Sequence, residues 1–362
     1  ALTKAGANAI LAVGSAEQKT RYAEHMLSGE WTGTMCLTEP HAGTDVGEIR
    51  TKATPIEGRP GRHKISGAKC FITFGEHDLA ENIIHLVLAK TPGAPGGTKG
   101  ISLFIVPKWK LNSDNTISAN QNDVVCGGIE EKLGIHGSPT ATLNFGEKDE
   151  CEGELVGKEN EGMRYMFLLM NEARLLVGLH AEAIAAAAYE AALAYARERI
   201  QCKDNRLPKG SAEKPVAIIE HHDVRRMLMT MKAQVEGMRA MLYHTAYYLD
   251  FSRNAADESE RKKYAGWVGL LTPICKAYCS DTAFEVATLG VQIHGGSGYC
   301  TDFPAEQYLR DVKISSIYEG TNGIQALDLV GYKLPMKNGA VFLDFVRTMR
   351  KTLARLKKNP AL

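Results

Sequence analysis

Ile83-Ile-His-Leu-Val-Leu-Ala-Lys-Thr-Pro-Gly-Ala-Pro-Gly-Gly-Thr-Lys-Gly-Ile-Ser-Leu-Phe-Ile-Val-Pro107 holds two apolar runs, Ile83–Ala89 and Ile101–Pro107, on either side of a segment crowded with Gly and Pro. Such a spacer is a turn-rich loop, and short β-branched runs bounded by it read as strands. The texture extends outward from Trp31 to about Phe145, where Thr34–Thr38, His63–Ser66, Cys70–Phe74 and Thr140–Phe145 alternate with Gly, Pro, Asn and Asp clusters. No helical pattern lies between these runs, which argues against a βαβ nucleotide-binding unit and predicts an antiparallel β domain.

Helical composition flanks that domain. Residues 2 to about 28 are Ala-rich, and Ser15-Ala-Glu-Gln18 matches a capping box. Beyond Gly162, helices are expected over Met163–Arg199, His222–Phe251 and Tyr264–Gly290, with Asp257–Lys263 as a charged turn and Gln201–Pro215 as a loop. A further helix restarts at Gln325–Leu334. The fold class is therefore α+β: a central β-barrel or sandwich followed by an antiparallel four-helix bundle.

The chain has 362 residues, 44% of them hydrophobic, with 43 basic and 42 acidic side chains for a net charge of +1. That balance leaves no electrostatic footprint for nucleic acid or an anionic membrane. The eight cysteines form no C-x-x-C pair, so reduced thiols in a cytoplasmic compartment are expected, and no His or carboxylate cluster completes a metal site. Cys275 and Cys279 share a helical face as small buried side chains. No apolar run reaches the length of a membrane span. The chain opens on Ala1 without an initiator Met, which is expected of a fragment.

Four segments carry chemistry. In Ile317-Tyr-Glu-Gly-Thr-Asn-Gly-Ile-Gln325, Gly320, Asn322 and Gly323 free the backbone for left-handed turns beside a carboxylate, so Glu319 is presented rather than merely solvated. Met35-Cys-Leu-Thr-Glu-Pro-His-Ala-Gly-Thr-Asp45 runs from a strand into a turn whose amides and hydroxyls, from Thr38 and Thr44, suit a heterocycle edge or a phosphate; an ordinary polar turn fits it too. Gly67-Ala-Lys-Cys-Phe-Ile-Thr-Phe-Gly75 places Phe71 and Thr73 on one strand face and Ile72 on the other, to flank a ring system or to form a half-buried edge strand. Gln292-Ile-His-Gly-Gly-Ser-Gly-Tyr299 lets the backbone approach a phosphate or ribose, or ends a helix with a flexible turn. On the helix between them, Asn171 and Arg174 lie one turn apart, and Arg199 and Gln201 stand at its end as donors for phosphate oxygens or as dipole compensation.

Taken in order, Thr38-Glu-Pro-x-x-Gly-Thr-Asp45, Phe71-Ile-Thr73, Gln292-x-x-Gly-Gly296 and Tyr318-Glu-Gly-Thr321 resemble the acyl-CoA dehydrogenase family from about Ala16 to Val330. The resemblance implies an FAD enzyme that removes two hydrogens from the α and β carbons of an acyl-CoA, with Glu319 taking the α proton while the β hydrogen leaves as hydride to flavin N5. The thioester carbonyl is then polarised by the backbone N–H of the base residue and a flavin ribityl hydroxyl. It further implies that Leu37 and Thr38 contact the flavin ring and that Phe71, Ile72 and Thr73 line its other face and edge. Thr44 would lie near the pyrophosphates of FAD and CoA. Arg199 and Gln201 would bind the FAD pyrophosphate of a neighbouring subunit, Gln292, Gly295 and Gly296 its adenosine half, and Thr321 the adenine-side phosphates. Asn171, Arg174 and Gly320 would contact the CoA substrate.

Some members carry the base directly before the Arg matching Arg174; here that residue is Ala173, and Glu172 faces about 100° away round the helix, so Glu319 is preferred. Asn171 stands where Asp is frequent, Gly323 replaces a common Gln, and Gln201–Pro215 is long. Gly75–His85 and Gly320–Leu329 look most like the 3-methylmercaptopropionyl-CoA dehydrogenase-like subgroup, whose members are larger. On that resemblance residues 1–30 are the remnant of an N-terminal helical domain, 31–155 the β domain, 156–332 the helical bundle, and 333–362 the start of a C-terminal helical extension. An electron-transferring flavoprotein as acceptor and a homodimer or homotetramer are family expectations. An acyl-CoA oxidase using dioxygen and a non-enzymatic flavin-bound scaffold are the alternatives.

Overall fold

A computed structural model of the chain describes residues 2–204, 206–208 and 214–358. It divides into two compact units, Ala1–Ala173 and Arg174–Leu362.

The first unit opens with α1 (Leu2–Val13), α2 (Ala16–Gln18), a π-helical turn at Lys19–Ala23, and α3 (Glu24–Ser28). The capping box is formed: Gln18 N donates to Ser15 Oγ and Ser15 N to Gln18 Oε1, both at 3.1 Å. Ten strands follow: β1 (Trp31–Cys36), β2 (Lys52–Pro55), β3 (Arg62–Thr73), β4 (Asn82–Lys90), β5 (Ile101–Pro107), β6 (Trp109–Leu111), β7 (Ile117–Gln121), β8 (Val124–Ile129), β9 (Thr140–Phe145) and β10 (Glu152–Leu155). The main sheet runs β1-β4-β5-β10-β3-β9-β8, with β2 beside β3, and β6 pairs with β7 separately. The expected antiparallel sheet is corrected at one edge, because β1 pairs with β4 in parallel. The chain between them passes through β2 and β3, which gives it the length to return in the same direction.

The opening stretch is the centre of this unit. Ile84, Leu86 and Leu88 of β4, with Leu103 and Ile105 of β5, pack with Ala5, Ile10 and Met26 of the N-terminal helices. The alternate residues, Val87, Ala89, Phe104 and Val106, meet Leu143 and Phe145 on the other face. A sheet covered on both faces needs apolar residues at every position, which is why β4 and β5 read as continuous runs. The N-terminal helices thus complete the core of the β unit.

In the second unit, α4 (Gly162–Glu198), which begins in the first, is joined by α5 (His222–Asn254) and α6 (Glu258–His294). Ala181, Ala185, Ala188, Ala192 and Ala196 form a stripe of small side chains on α4, packed with Met231, Val235 and Met238 of α5 and Cys279, Ala283 and Val286 of α6. The charged stretch expected to be a turn is instead the start of α6. Asp257 caps it by accepting from Ser259 N at 2.8 Å, so the run of Glu, Arg and Lys is an exposed first turn of helix. Of the Gln201–Pro215 loop, residues 205 and 209–213 lie outside the described residues. By length and composition alone α4 is long and apolar enough to cross a membrane, a run the sequence reading did not find, and part of that stretch is buried. Asn171, Glu172, Arg174 and Glu182 interrupt its apolar run without removing its apolar average.

The fourth limb of the expected bundle is broken into α7 (Ala305–Val312), a 3₁₀ turn at Lys313–Ser316, α8 (Asn322–Asp328) and a π-helical turn at Leu329–Lys333, before α9 (Ala340–Leu356). Glu319 sits in the break between the 3₁₀ turn and α8.

Candidate active site

Glu319 and Gly320 are two successive left-handed residues, with φ of 56° and 84°. That geometry is unusual for a residue with a side chain, and neighbouring groups hold it. The Glu319 carbonyl accepts from Arg174 Nε at 3.3 Å and from Gln325 Nε2 at 3.2 Å, and Gln325 also donates to Gly320 O at 3.0 Å. Arg174 is fixed in turn by Asp328, Nη1 to Oδ2 at 3.1 Å. Thr321 caps α8, its hydroxyl accepting from Ile324 N at 3.3 Å.

The side chain held by this turn is half-buried, with Oε2 shut off from solvent and accepting no hydrogen bond among the described residues. Burial pushes the Glu319 carboxyl up to about 7, against the opposing pull of the Arg174 and Lys276 charges. Lys276, on α6, is wholly buried and donates to Asn322 Oδ1 at 2.9 Å. Burial brings its ammonium down to about 8. Asn322 completes the link by donating to Asp281 Oδ1 at 2.7 Å and Ser280 Oγ at 2.9 Å. Tyr318, preceding Glu319, has its hydroxyl 3.1 Å from His180 Nδ1.

The first unit gathers the other motif residues. Lys69 Nζ donates to Leu37 O and to Glu39 Oε1, both at 2.9 Å, and Cys70 N donates to Thr38 O at 3.0 Å. The Leu37–Asp45 turn is therefore tied to β3 at the place where β3 bulges, between Lys69 and Ile72. Phe71 adopts φ of 58° there, so the regular pleat from which the face assignment was read is interrupted. Phe71 stands 64% exposed, Ile72 is 1% exposed and Thr73 is half-buried. The edge-strand reading does not survive, since β3 lies between β10 and β9. Thr44 is exposed in the turn that follows.

In the second unit Arg199, Gln201, Gln292, Gly295 and Gly296 are all exposed. Tyr195 of α4 stacks on His294 of α6 with ring centroids 4.4 Å apart, which brings the two helix ends carrying these residues together. Gly295 takes φ of 60°, and a side-chain carbon added at Gly295 or Gly296 would meet nothing within 4 Å. Asn171 is exposed on α4, whereas Arg174 is buried and engaged with the Glu319 carbonyl and Asp328. Glu172 accepts from Asn8 Nδ2 at 3.1 Å.

Two family models match the chain: the acyl-CoA dehydrogenase middle domain over residues 34–147, and the acyl-CoA dehydrogenase C-terminal domain over residues 160–331. An acyl-CoA dehydrogenase of Bacillus subtilis is 35% identical over 92% of this chain and 76% of that protein. The chain belongs to the acyl-CoA dehydrogenase family. The 3-methylmercaptopropionyl-CoA dehydrogenase of Ruegeria pomeroyi is 45% identical over 99% of this chain but 60% of that protein, so the chain spans well under two thirds of that relative's length. The solved structure of butyryl-CoA dehydrogenase from Megasphaera elsdenii superposes with a TM-score of 0.71 at 29% identity, covering 91% of this chain and 74% of that one.

Sequence reasoning within this family missed Lys276, Asn322, Gln325 and Asp328, the residues that hold the Glu319 turn. A signal existed for Lys276, the lone charge in the stretch of α6 from Tyr264 to Ser280. It also missed the Glu39–Lys69 pair, whose partners are thirty residues apart. The eight cysteines are unpaired, and no group of metal ligands occurs among the described residues.

Gly320 offers a direct test of the turn. A side-chain carbon there would lie 2.9 Å from Gln325 Nε2 and 3.5 Å from Arg174 Nη2, on a backbone with φ of 84°. Gly320→Ala should destabilise the protein by roughly 1–3 kcal/mol, read as a lower urea midpoint. An unchanged midpoint would mean that the turn relaxes without cost.

Proposed function

We propose that the chain carries the reaction centre of a flavin-dependent acyl-CoA dehydrogenase in which Glu319 removes the α proton of an acyl-CoA thioester. The observation that carries this reading is the Oε2 atom, a buried acceptor with no partner among the described residues. An orphaned buried acceptor costs about 1–3 kcal/mol, and such a cost is retained where the group has work to do. A carboxyl brought up to about 7 is also a far stronger base than an ordinary glutamate, and is still ionised near neutral pH.

The left-handed turn also aims the Glu319 N–H, which would polarise the thioester carbonyl and stabilise the enolate-like charge that develops on it. In the first unit the exposed Phe71 ring offers a flat apolar face to a planar cofactor, and in the second the open backbone at Gly295 and Gly296 leaves room for a nucleotide. Bound FAD would supply the hydride acceptor. Leu37, Thr38, Phe71, Ile72 and Thr73 would then surround its ring system. Thr44 and Thr321 would lie at its phosphates, while Arg199 and Gln201 would hold the pyrophosphate, and Gln292, Gly295 and Gly296 the adenosine half, of the FAD of a second copy of the chain, which makes a dimer the minimum assembly. Asn171 and Gly320 would contact the CoA thioester, and Arg174 would contribute through the turn it holds. Short acyl chains, including the thioether acyl group, are supported by the names of the similar enzymes. An electron-transferring flavoprotein is the proposed acceptor.

The experiment is an anaerobic titration of the purified full-length protein with butyryl-, octanoyl- and 3-methylmercaptopropionyl-CoA. Bleaching of a flavin band by one of them, lost in Glu319→Gln, is the expected result; a bound flavin that none of them bleaches overturns the reading. Under air, peroxide release on adding substrate would assign dioxygen as the acceptor instead. The pH dependence has a definite sign. Because Glu319 must be ionised to take a proton, kcat/KM should rise with pH through about 7 and level off above it. A rise complete by pH 5 would show a carboxylate of ordinary acidity.

A further inference from the structure

We propose that Lys276 is a positioning residue for this base: its ammonium anchors the turn after Glu319 through Asn322 and, alongside Arg174, supplies positive charge that favours the carboxylate form of Glu319. The inference rests on the reading of Glu319 as the base.

Lys276 is 0% exposed in the middle of α6, a placement that an ammonium tolerates only with strong compensation. Its hydrogen-bond partner is the neutral amide oxygen of Asn322 at 2.9 Å, and it makes no ion pair among the described residues. The balancing charges are Asp281, reached across the Asn322 amide, and Glu319, three residues before Asn322 in the same turn. Arg174 is the other cation facing Glu319, but its guanidinium is already paired with Asp328 at 3.1 Å, and Asp328 is also approached by Lys333 at 3.9 Å. The remaining titratable groups about the turn are Tyr318 and His180, which face each other, and burial disfavours the charged form of both. Arg174 and Lys276 both favour the ionised form of Glu319, Arg174 the more strongly, and Lys276, which has no ion pair among the described residues, adds to that pull. The Lys276–Asn322–Asp281 link also joins the rigid α6 to the first residue of α8, so one side chain fixes both the position and the ionisation of the carboxylate.

Two substitutions in the full-length flavin-loaded enzyme separate the two contributions. Lys276→Gln keeps a donor toward Asn322 and removes the charge; Lys276→Met removes both. Two readouts apply: the midpoint of the acid limb of kcat/KM, and the midpoint of the stability difference between each protein and its Glu319→Gln counterpart as pH is varied. Both substitutions should raise the acid-limb midpoint by about one to two pH units, the span an opposite charge commonly controls, and the stability midpoint by about half of that, because the unfolded value stays fixed; Met should in addition lower the high-pH plateau rate. Midpoints unmoved in Lys276→Gln overturn the proposal, and that variant suffices if Lys276→Met does not fold. The stability readout needs no turnover. If its midpoint shifts while no acyl-CoA bleaches the flavin, the charge coupling stands and the dehydrogenase reading fails.

Discussion

Glu319→Gln should lower kcat by roughly 10²–10⁴-fold, the span that a positioned general base contributes, and should at the same time make the protein more stable at pH 8. The two effects have one origin. Glu319 ionises near 7 in the folded chain against an ordinary value of 4.5, so between those values the native state holds a proton that the unfolded state has lost. Stability therefore falls as pH rises through that interval, and the deficit is complete above 7. Each pH unit between the two values is worth about 1.4 kcal/mol. Glutamine cannot ionise, so the variant escapes the deficit: its unfolding midpoint should exceed the parent's at pH 8 and match it below about pH 4.5. Flavin content should be unchanged, since Glu319 is not among the residues assigned to the cofactor. Urea titrations at the two pH values, with absorbance at the flavin band, check all three statements. A variant that is less stable than its parent at pH 8 would show that the carboxylate makes favourable contacts that outweigh its burial.

The turn at Glu319 was legible in part, because an acid beside Gly320 announces a break in regular backbone, whereas Asn322 and Gly323, read as further left-handed positions, begin α8 instead. The β domain was legible for a similar reason, as β4 and β5 are mostly apolar, with Asn82, His85, Lys90 and Ser102 as the exceptions, and are separated by a segment rich in Gly and Pro. Strands such as β7 and β10 were not, because Ile117-Ser-Ala-Asn-Gln121 and Glu152-Gly-Glu-Leu155 carry little apolar signal and owe their pairing to neighbours. The bulge at Phe71 was hidden because it is a property of the β3–β9 register, and the parallel β1–β4 edge because it depends on topology. The sharpest limit is Arg174. Its spacing from Asn171 suggested a ligand clamp, yet its burial and its engagement with Asp328, 154 residues away, direct it at the Glu319 turn. Helical periodicity says which residues share a face, and only the packed structure says what that face meets.

The second large effect is expected at Lys69, which is 0% exposed opposite Glu39 at 3%. Burial works against the Glu39 charge, but Lys69 outweighs it together with the Thr51 hydroxyl and the Arg50 N–H, and the carboxyl is held below its usual range. Lys69→Met leaves that carboxylate buried without its cation, a loss of about 3–5 kcal/mol. Lys69 also pins the Leu37 carbonyl at 2.9 Å, and its chain leads directly into the Phe71 bulge, so the variant should in addition lose flavin during purification. The sign with pH follows from Glu39. A carboxyl with a lowered folded value stabilises the parent above the ordinary carboxylate range and loses that contribution as pH falls, so the gap between parent and variant should be widest near neutrality and narrow in acid. Adding Glu39→Gln to Lys69→Met should recover much of the stability, because the charge left uncompensated is then gone, while Gln still offers one acceptor to the N–H groups of Arg50 and Thr51 at 2.7 and 3.0 Å. If stability returns in the double variant but flavin retention does not, Lys69 acts on the cofactor through the Leu37 carbonyl and the bulge; if both return, the ion pair matters only as charge balance in the core of the sheet.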